Sequence, residues 1–450
     1  MAVYEDREAF IPYSRTDIVE MCISEGQLSE ADAKKFREFC QILAAYFHFQ
    51  FHHTLERIKY NFAPFNPDSD TKLRDLPDRE RKKEMLSRLV RDFEDLVEKA
   101  NYYPLSQESL QRAFKEKTLI ELKTEVNFED FDEVVFYCRG DIYKITWVRK
   151  ALKFFRKVPV TIDIFERVAL LLKTKEESYF KTKKIDIEKL NFTPGKIYLY
   201  LYKNIPKFDL EFLFPNVKTS MTLKDRLMFG IPAIGAAIPA ILKVLPQLLL
   251  IVATVLFLVF GSSALTSFQV SQDDVQNVMP VLVATMSVII ALGGLAFKQY
   301  SSYKTKQIQF QKNVTEALFF RNLAINAGVF QSLLDSAEEE ETKEIILVFY
   351  HLLTSREPLT AEKLDDLVEK WMEEKFDTKI DFDINGPLQN LEKICGRIVK
   401  EGQEEANISE LPLLTYDRQG NCIVLSLDEA KIVIDYIWDN AFKYARSTQL

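Results

Sequence analysis

Three histidines crowd the stretch FHFQFHHTLE. On a helix His48, His52 and Glu56 fall at i, i+4 and i+8 and share one face, with His53 beside them, so two imidazoles and a carboxylate could face a divalent metal and its bound water. Two imidazoles and one acid fall short of a complete site. The order also departs from the H-E-x-x-H of metalloproteases and the E-x-x-H of ferritin-like helices. His48, His52 and Glu56 are therefore weak metal candidates, set against a simpler reading in which they edge an aromatic core, and no cofactor is expected. A second polar pair, Asn322 and Asn326 in RNLAINAGVF, reads as four apart on one helical face beside Gly328. It is either a polar site at a helix break or a pair of buried amides that satisfy loop backbone.

Other chemistry is missing. TPGKIYLY has Gly195-Lys196 without the earlier glycine or the following Ser/Thr of a P-loop. The GSS at 261 lacks the G-x-S-x-G frame. Cys22, Cys40, Cys138, Cys395 and Cys422 are odd in number and without C-x-x-C spacing, which speaks against zinc and disulfide frameworks and for a reducing compartment. No catalytic residue and no enzyme activity are expected.

The elements that would carry these residues come in blocks. In 1–125, a helical region, SEADAKKFREFCQILAAYFHFQFHHTLERIKYNF follows a Ser29 cap and places Phe36, Cys40, Leu43, Phe47, Phe51, Leu55, Ile58 and Phe62 on one stripe. A second amphipathic helix turns Leu86, Leu89, Val90, Phe93, Leu96 and Val97 inward, and Ser106 opens a short third one. Residues 126–221 change to period two and predict an antiparallel sheet, with two strands joined at Arg139-Gly140-Asp141 and further strands in VPVTIDIFERVALLLKTK and GKIYLYLYKNI.

Apolar residues then concentrate. Between Val244 and Phe260, 13 of 17 residues are Val, Ile, Leu or Phe, so 244–261 is expected as a first transmembrane helix and 280–297 as a second, joined by the short loop 262–279. Lys and Arg flank this insert on both sides, whereas the loop has two Asp and no cation, which predicts a two-span hairpin with both chain ends cytoplasmic. Residues 222–243 read either as an interfacial or re-entrant helix or as a kinked extension of the first span. Ala284, Ser287, Ala291 and Gly294 form a strip of small side chains, suited to packing on the first span, to homo-oligomer contact or, less well, to a pore. The N-terminus MAVYEDREAF resembles no cleavable targeting segment.

After a juxtamembrane helical region at 298–340 comes an acidic module at 341–450; residues 331–450 hold 26 Asp and Glu against 13 Lys and Arg. Three helices, a ribbon with a QG turn and a last helix from Asp428 give the order of a winged-helix-like module. Its acidity excludes nucleic acid and favours a protein partner. The predicted class is thus an α+β membrane protein with N-terminal helices, an antiparallel sheet, a two-span hairpin and this module.

The stretch YKTKQIQFQKNVTEALFFRNLAINAGVFQSLLDSAEEEETKE, with REAFIPYSR, YCRGD, ERVALLL and PGKIYLYLYKNIPKFDLEFLFP, resembles the family built on a domain of unknown function that includes transmembrane protein 143 of mitochondria. The resemblance implies a two-span membrane protein with large flanking domains and brings no catalytic residue. Together these readings lead to an expected membrane-anchored, non-catalytic adaptor or regulator in the lipid bilayer of a bacterial inner membrane, with an organellar membrane as the alternative. An oligomeric transporter or pore, and a metal-dependent hydrolase at the membrane surface, are the other expectations.

Overall fold

The computed structural model describes residues 3–4, 8–106, 110, 122–149, 157–221, positions spaced between 286 and 312, 318–398 and 410–440. The chain divides into two units. One comprises 1–117, 127–210 and 321–450, and the other 118–126 and 211–320.

In the first unit, α1 (Arg15–Ser24) starts at Ser14 and α2 (Glu30–Phe62) at Ser29, whose hydroxyl accepts the Asp32 N–H at 3.1 Å. The predicted stripe from Phe36 to Phe62 is buried along α2. In α3 (Arg79–Lys99), capped by Asp78, the buried residues are Met85, Leu89, Phe93, Leu96 and Val97, with Leu86 and Val90 half-buried beside them. The expected helix after Ser106 lies largely outside the described residues.

The principal sheet of this unit is antiparallel, in the order β1 (Val3–Tyr4), β4 (Phe131–Arg149), β5 (Lys157–Thr174), β6 (Ile197–Pro206) and β8 (Asn322–Ile325), with β2 (Tyr103–Pro104) on β4. Val135 and Tyr137 of β4, Ala169 and Leu171 of β5 and Ile197, Leu199 and Leu201 of β6 alternate onto the face that joins the helical core. The expected turn at Arg139-Gly140-Asp141 does not exist. Gly140 stands at φ 72° within a strand whose register continues from Arg139↔Arg167 to Asp141↔Phe165. A Cβ at Gly140 would come within 2.7 Å of the Glu166 side chain, so glycine lets β4 twist and the strands approach without ending the pairing. The lysine-rich loop after β5 holds a short helix, α4 (Glu177–Thr182).

Helix α5 (Ala327–Thr354) is the hub of this unit. Every residue from Thr342 to His351 is buried, a pattern that only a helix surrounded on all sides can show. Beyond it come α6 (Ala361–Phe376), α7 (Asn385–Lys393), β9 (Cys395–Arg397) paired with β10 (Glu410–Pro412), the hairpin β11 (Leu414–Tyr416)–β12 (Cys422–Val424), and α8 (Leu427–Asn440). Gly420 at φ 84° closes the predicted QG turn. Helix α8 meets strand β9 so closely that a Cβ on Gly396 would come within 2.6 Å of the Val433 carbonyl oxygen. In the second unit β3 (Leu122–Glu125) pairs with β7 (Lys218–Met221).

The predicted fold class is corrected to mixed α+β with an antiparallel sheet. Among the described residues no helix is long and apolar enough to cross a membrane, which overturns the two-span class and the integral-membrane location. The two longest described helices are both charged. α2 carries Lys34, Lys35, Arg37 and Glu38 near its start, and α5 carries Glu338 to Glu341 and Lys343 at mid-length, charges too costly to place across hydrocarbon. Residues 222–243, 244–261 and 262–279 lie outside the described residues, as does most of 280–297. The C-terminal winged-helix-like order does not form a separate body either, because α5 builds the core of the unit that also contains residues 1–117.

The acidic run on α5 is consumed internally. Lys343, 2% exposed, donates to the Ile11 carbonyl at 2.7 Å, the Tyr13 carbonyl at 3.1 Å and Glu340 Oε1 at 2.6 Å. Glu340, 1% exposed, accepts from the Ile11 N–H at 3.1 Å and from Asn101 Nδ2 at 3.2 Å. Asn101, at φ 59°, also donates to Glu344 and to the Ala9 carbonyl. Glu341 accepts from Asn390, and Glu339 from the Arg15 N–H. Burial raises the proton affinity of Glu340, Glu341 and Glu344. Removing one member strands the other charge, so Lys343→Met is expected to lower unfolding stability by about 3–5 kcal/mol. Urea denaturation checks this; a loss under about 1 kcal/mol would contradict the buried pairing.

Candidate functional site

The residues singled out from sequence are not gathered into one site. His48, His52, His53 and Glu56 occupy the exposed face of α2. His48 Nδ1 meets Glu338 Oε2 at 2.9 Å, and Glu56 accepts from Lys59 at 3.0 Å, so the two ends of the proposed triad are drawn to different partners. Among the described residues no group of three or more His, Cys, Asp or Glu side chains is placed to hold a metal ion. Of the small-residue strip, Ser287 and Gly294 are exposed on helical residues, while Ala284 and Ala291 lie outside the described residues.

Asn322 and Asn326 are not on a helix. Asn322 opens β8, and Asn326 is the turn between β8 and α5 at φ 47°, a backbone conformation that asparagine tolerates better than most residues. The Asn326 main chain donates to the Leu199 carbonyl at 2.9 Å, its Oδ1 accepts the Leu199 N–H at 3.1 Å, and its Nδ2 donates to Asp68. Three bonds thus fasten the start of α5 to β6 and to the loop after α2. The expectation of buried amides satisfying backbone describes Asn326 well; Asn322 Oδ1 is buried with no partner among the described residues.

Two cavities stand out. The first, of 540 Å³, is walled by Glu8, Glu98, Asp141, Asp381 and Asp383 with Tyr102 and Tyr103. Most of its carboxylates are engaged. Glu8 accepts from the N–H groups of Gly140 and Asp141, Asp141 pairs with Lys207 at 2.7 Å, and Glu98 accepts from Tyr137.

The second cavity differs. Measuring 620 Å³, it is bounded by Gly26 and Gln27 of the α1–α2 turn, by Tyr350, His351, Thr354, Ser355 and Arg356 at the end of α5, and by Leu367 and Trp371 of α6. That volume falls within the usual range for a small-molecule pocket. Tyr350, His351 and Trp371 are 1%, 6% and 8% exposed, yet among the described residues the buried Tyr350 hydroxyl, His351 Nε2 and Trp371 Nε1 have no hydrogen-bond partner. Each such atom costs about 1–3 kcal/mol when left unpaired, and all three belong to residues that line this one cavity.

Ring geometry holds the trio in place. His351 meets Tyr350 edge-on at 5.2 Å between centroids and Trp371 at 5.1 Å; Tyr350 packs on Phe36 and Trp371 on Phe376. Burial keeps the Tyr350 phenol protonated and pushes His351 down to about 4, against a smaller upward pull from Glu25. The wall at neutral pH is therefore a phenol, a neutral imidazole and an indole N–H. Thr354 and Ser355 spend their hydroxyls on the Tyr350 and Glu357 carbonyls. Arg356 is exposed and makes no ion pair among the described residues.

Sequence reading passed over this site. His351 is the one histidine outside FHFQFHHTLE, and its signal was a Tyr-His pair inside the apolar run IILVFYHLL, where a polar ring must be buried. Its partner Trp371 is twenty positions on, with a helix boundary between them, so nothing local joined the two.

A family model described as "Protein of unknown function (DUF3754)" matches residues 165–328. The match runs from β5 to the first turn of α5 and includes Asn322 and Asn326, whereas every residue lining the second cavity lies outside it. No solved structure matches the chain.

A histidine whose folded value lies near 4, against about 6.5 in an unfolded chain, keeps its stabilising contribution above the unfolded value and loses it as pH falls toward the folded one. Between pH 7 and pH 5 the wild type should therefore lose about 2 kcal/mol more than His351→Gln, read from urea midpoints at each pH. Parallel pH profiles for the two proteins would contradict a buried neutral imidazole.

Proposed function

We propose that this protein is a non-catalytic regulator or adaptor that binds a small molecule in the Tyr350–His351–Trp371 cavity. One observation carries the reading: a 620 Å³ cavity is lined by three aromatic residues, each more than nine-tenths buried, whose polar atoms have no partner among the described residues. Binding is favoured over chemistry because the lining has no carboxylate to form an acid–base pair with His351, and both aliphatic hydroxyls already donate to backbone carbonyls. Position suits regulation. The cavity lies at the end of the helix that also fastens the N-terminal segment and, through Asn326, the sheet, so a ligand would stabilise the element on which the unit depends.

A finer kinship, with the family that includes transmembrane protein 143, belongs to the same proposal. The blocks REAFIPYSR and RNLAINAGVF support it, since they supply the Ile11 and Asn326 fastenings of α5, and it adds no activity. A protein partner remains part of the adaptor reading.

The test fills the cavity without touching its polar wall. Leu367, 36% exposed at the rim, is replaced by Trp, and a library of small fragments is screened by thermal shift against both proteins. Compounds should raise the melting midpoint of the wild type and fail to do so for Leu367→Trp. Equal shifts in both proteins, or no shift with the wild type, would refute the proposal.

A further inference from the structure

We infer that the first cavity, bounded by Glu8, Glu98, Asp141, Asp381 and Asp383, binds an extended organic polycation of the alkylammonium type. The inference is independent of the Tyr350–His351–Trp371 cavity, which none of these residues lines.

Separate stretches of chain bring the carboxylates together. Glu8 comes from the N-terminal segment, Glu98 from the end of α3, Asp141 from the middle of β4, and Asp381 and Asp383 from the connection between α6 and α7. Main-chain bonds fix their places: the Asp381 N–H donates to the Glu8 carbonyl at 3.0 Å, and the Glu8 carboxylate takes the N–H groups of Gly140 and Asp141. Among the described residues, the ion pair of Asp141 with Lys207 is the one neutralisation these five acids receive. The Glu98 carboxylate has the Tyr137 hydroxyl and that of Asp383 the Asn385 N–H, while the Asp381 carboxylate has neither hydrogen bond nor ion pair among the described residues.

Like charges held this way repel one another. Burial first, then Asp141 and Glu166, raise the proton affinity of Glu8 in spite of its two N–H bonds. On α6, Asp365 is pushed up to about 6, by burial first and then by Glu369, Asp366, Asp381 and Asp383. A cation in the cavity relieves this repulsion.

A buried side chain gives an independent sign of a ligand. Tyr102 is 5% exposed and lines the cavity. Its hydroxyl makes no hydrogen bond among the described residues, yet unlike the orphan atoms of Tyr350, His351 and Trp371 it is not sealed from solvent. The surface it keeps opens on the cavity, where its lone pairs can accept an ammonium N–H. Arg139, whose guanidinium stands 4.9 Å from the centre of the Tyr102 ring, does not line the cavity and donates to the Ala100 carbonyl.

The spacing of the acids selects among cations. Among the described residues no three of them converge as the ligands of a metal ion would; they are distributed around 540 Å³. A chain with ammonium groups several bonds apart reaches several of them, three donors to each nitrogen, while its methylenes lie against Tyr102 and Tyr103.

The experiment is calorimetric titration of the full chain at low ionic strength with spermidine and with a tetralysine peptide, using magnesium and 1,6-hexanediol as inorganic and uncharged controls. At least one of the two amines should bind more than about tenfold tighter than either control. Asp381→Asn, which removes a charge and no bond, should weaken that binding about tenfold, and Tyr102→Phe by about threefold to tenfold, the worth of one hydrogen bond. Glu188→Gln, at an exposed acid outside the cavity, and Leu367→Trp, in the other cavity, should leave it within about twofold. Tighter binding of spermidine points to a free polyamine and tighter binding of tetralysine to the lysines of a protein; either supports the ammonium class. Magnesium binding best, no amine binding to the wild type, or an equal loss in Glu188→Gln and Asp381→Asn would overturn the inference and leave the Tyr350–His351–Trp371 reading to its own fragment screen.

Discussion

A lysine and a glutamate with almost no contact with water organise the larger unit. Lys343 has three protons to donate and uses them on two backbone carbonyls of the N-terminal segment and on Glu340, while Glu340 takes the Ile11 N–H and an Asn101 proton. Such a pair adds little net stability over an apolar substitute. Its value is specificity: the bonds go to main-chain atoms more than three hundred positions away, so only one docking of residues 9–13 on α5 satisfies every group. With that segment in place, α2 closes over the α5 face that holds Phe349 and Tyr350, through the Phe39–Phe349 and Phe36–Tyr350 contacts.

The same constraint explains the cavity. Where α5 is buried on every side, from Thr342 to His351, no solvent reaches its polar groups. Along most of α5 they are paired, with Glu338, Glu339, Glu340, Glu341, Lys343 and Glu344 all bonded across to other elements. At Tyr350 and His351 the pairing stops, and Trp371 joins them from α6. A chain that satisfies buried charges so thoroughly in one half of a helix and leaves neutral polar atoms open in the other makes the contrast informative.

Much of the local structure was legible. The α2 stripe and its Ser29 cap, the inward face of α3, the strands around ERVALLL and IYLYLY and the QG turn follow from period and turn chemistry, because each depends on neighbours a few residues away. Arg139-Gly140-Asp141 misled, since a glycine at positive φ marks a kink inside a long strand as well as a turn between two. The Asn322–Asn326 spacing suggested a helix because a four-residue interval says nothing of the strand that β6 imposes on β8. The acidic surplus of 331–450 reads as a charged tail, whereas five of its glutamates, from Glu338 to Glu341 and Glu344, bond to partners inside the unit. Those partners are far away in sequence, and charge counting cannot see them. The cavity was invisible for the same reason: it needs the α1–α2 turn, the end of α5 and α6 together.

The central claim is that Tyr350, His351 and Trp371 wall a binding site instead of a packing defect. A crystal structure of the full chain purified without added ligand, at a resolution that shows ordered water, tests it most directly. The account predicts electron density too large for water in the cavity lined by Tyr350, His351, Leu367 and Trp371, or, after transfer into a binding fragment, that fragment in the same place. Ordered water alone in that cavity, unmoved by any fragment, would contradict it.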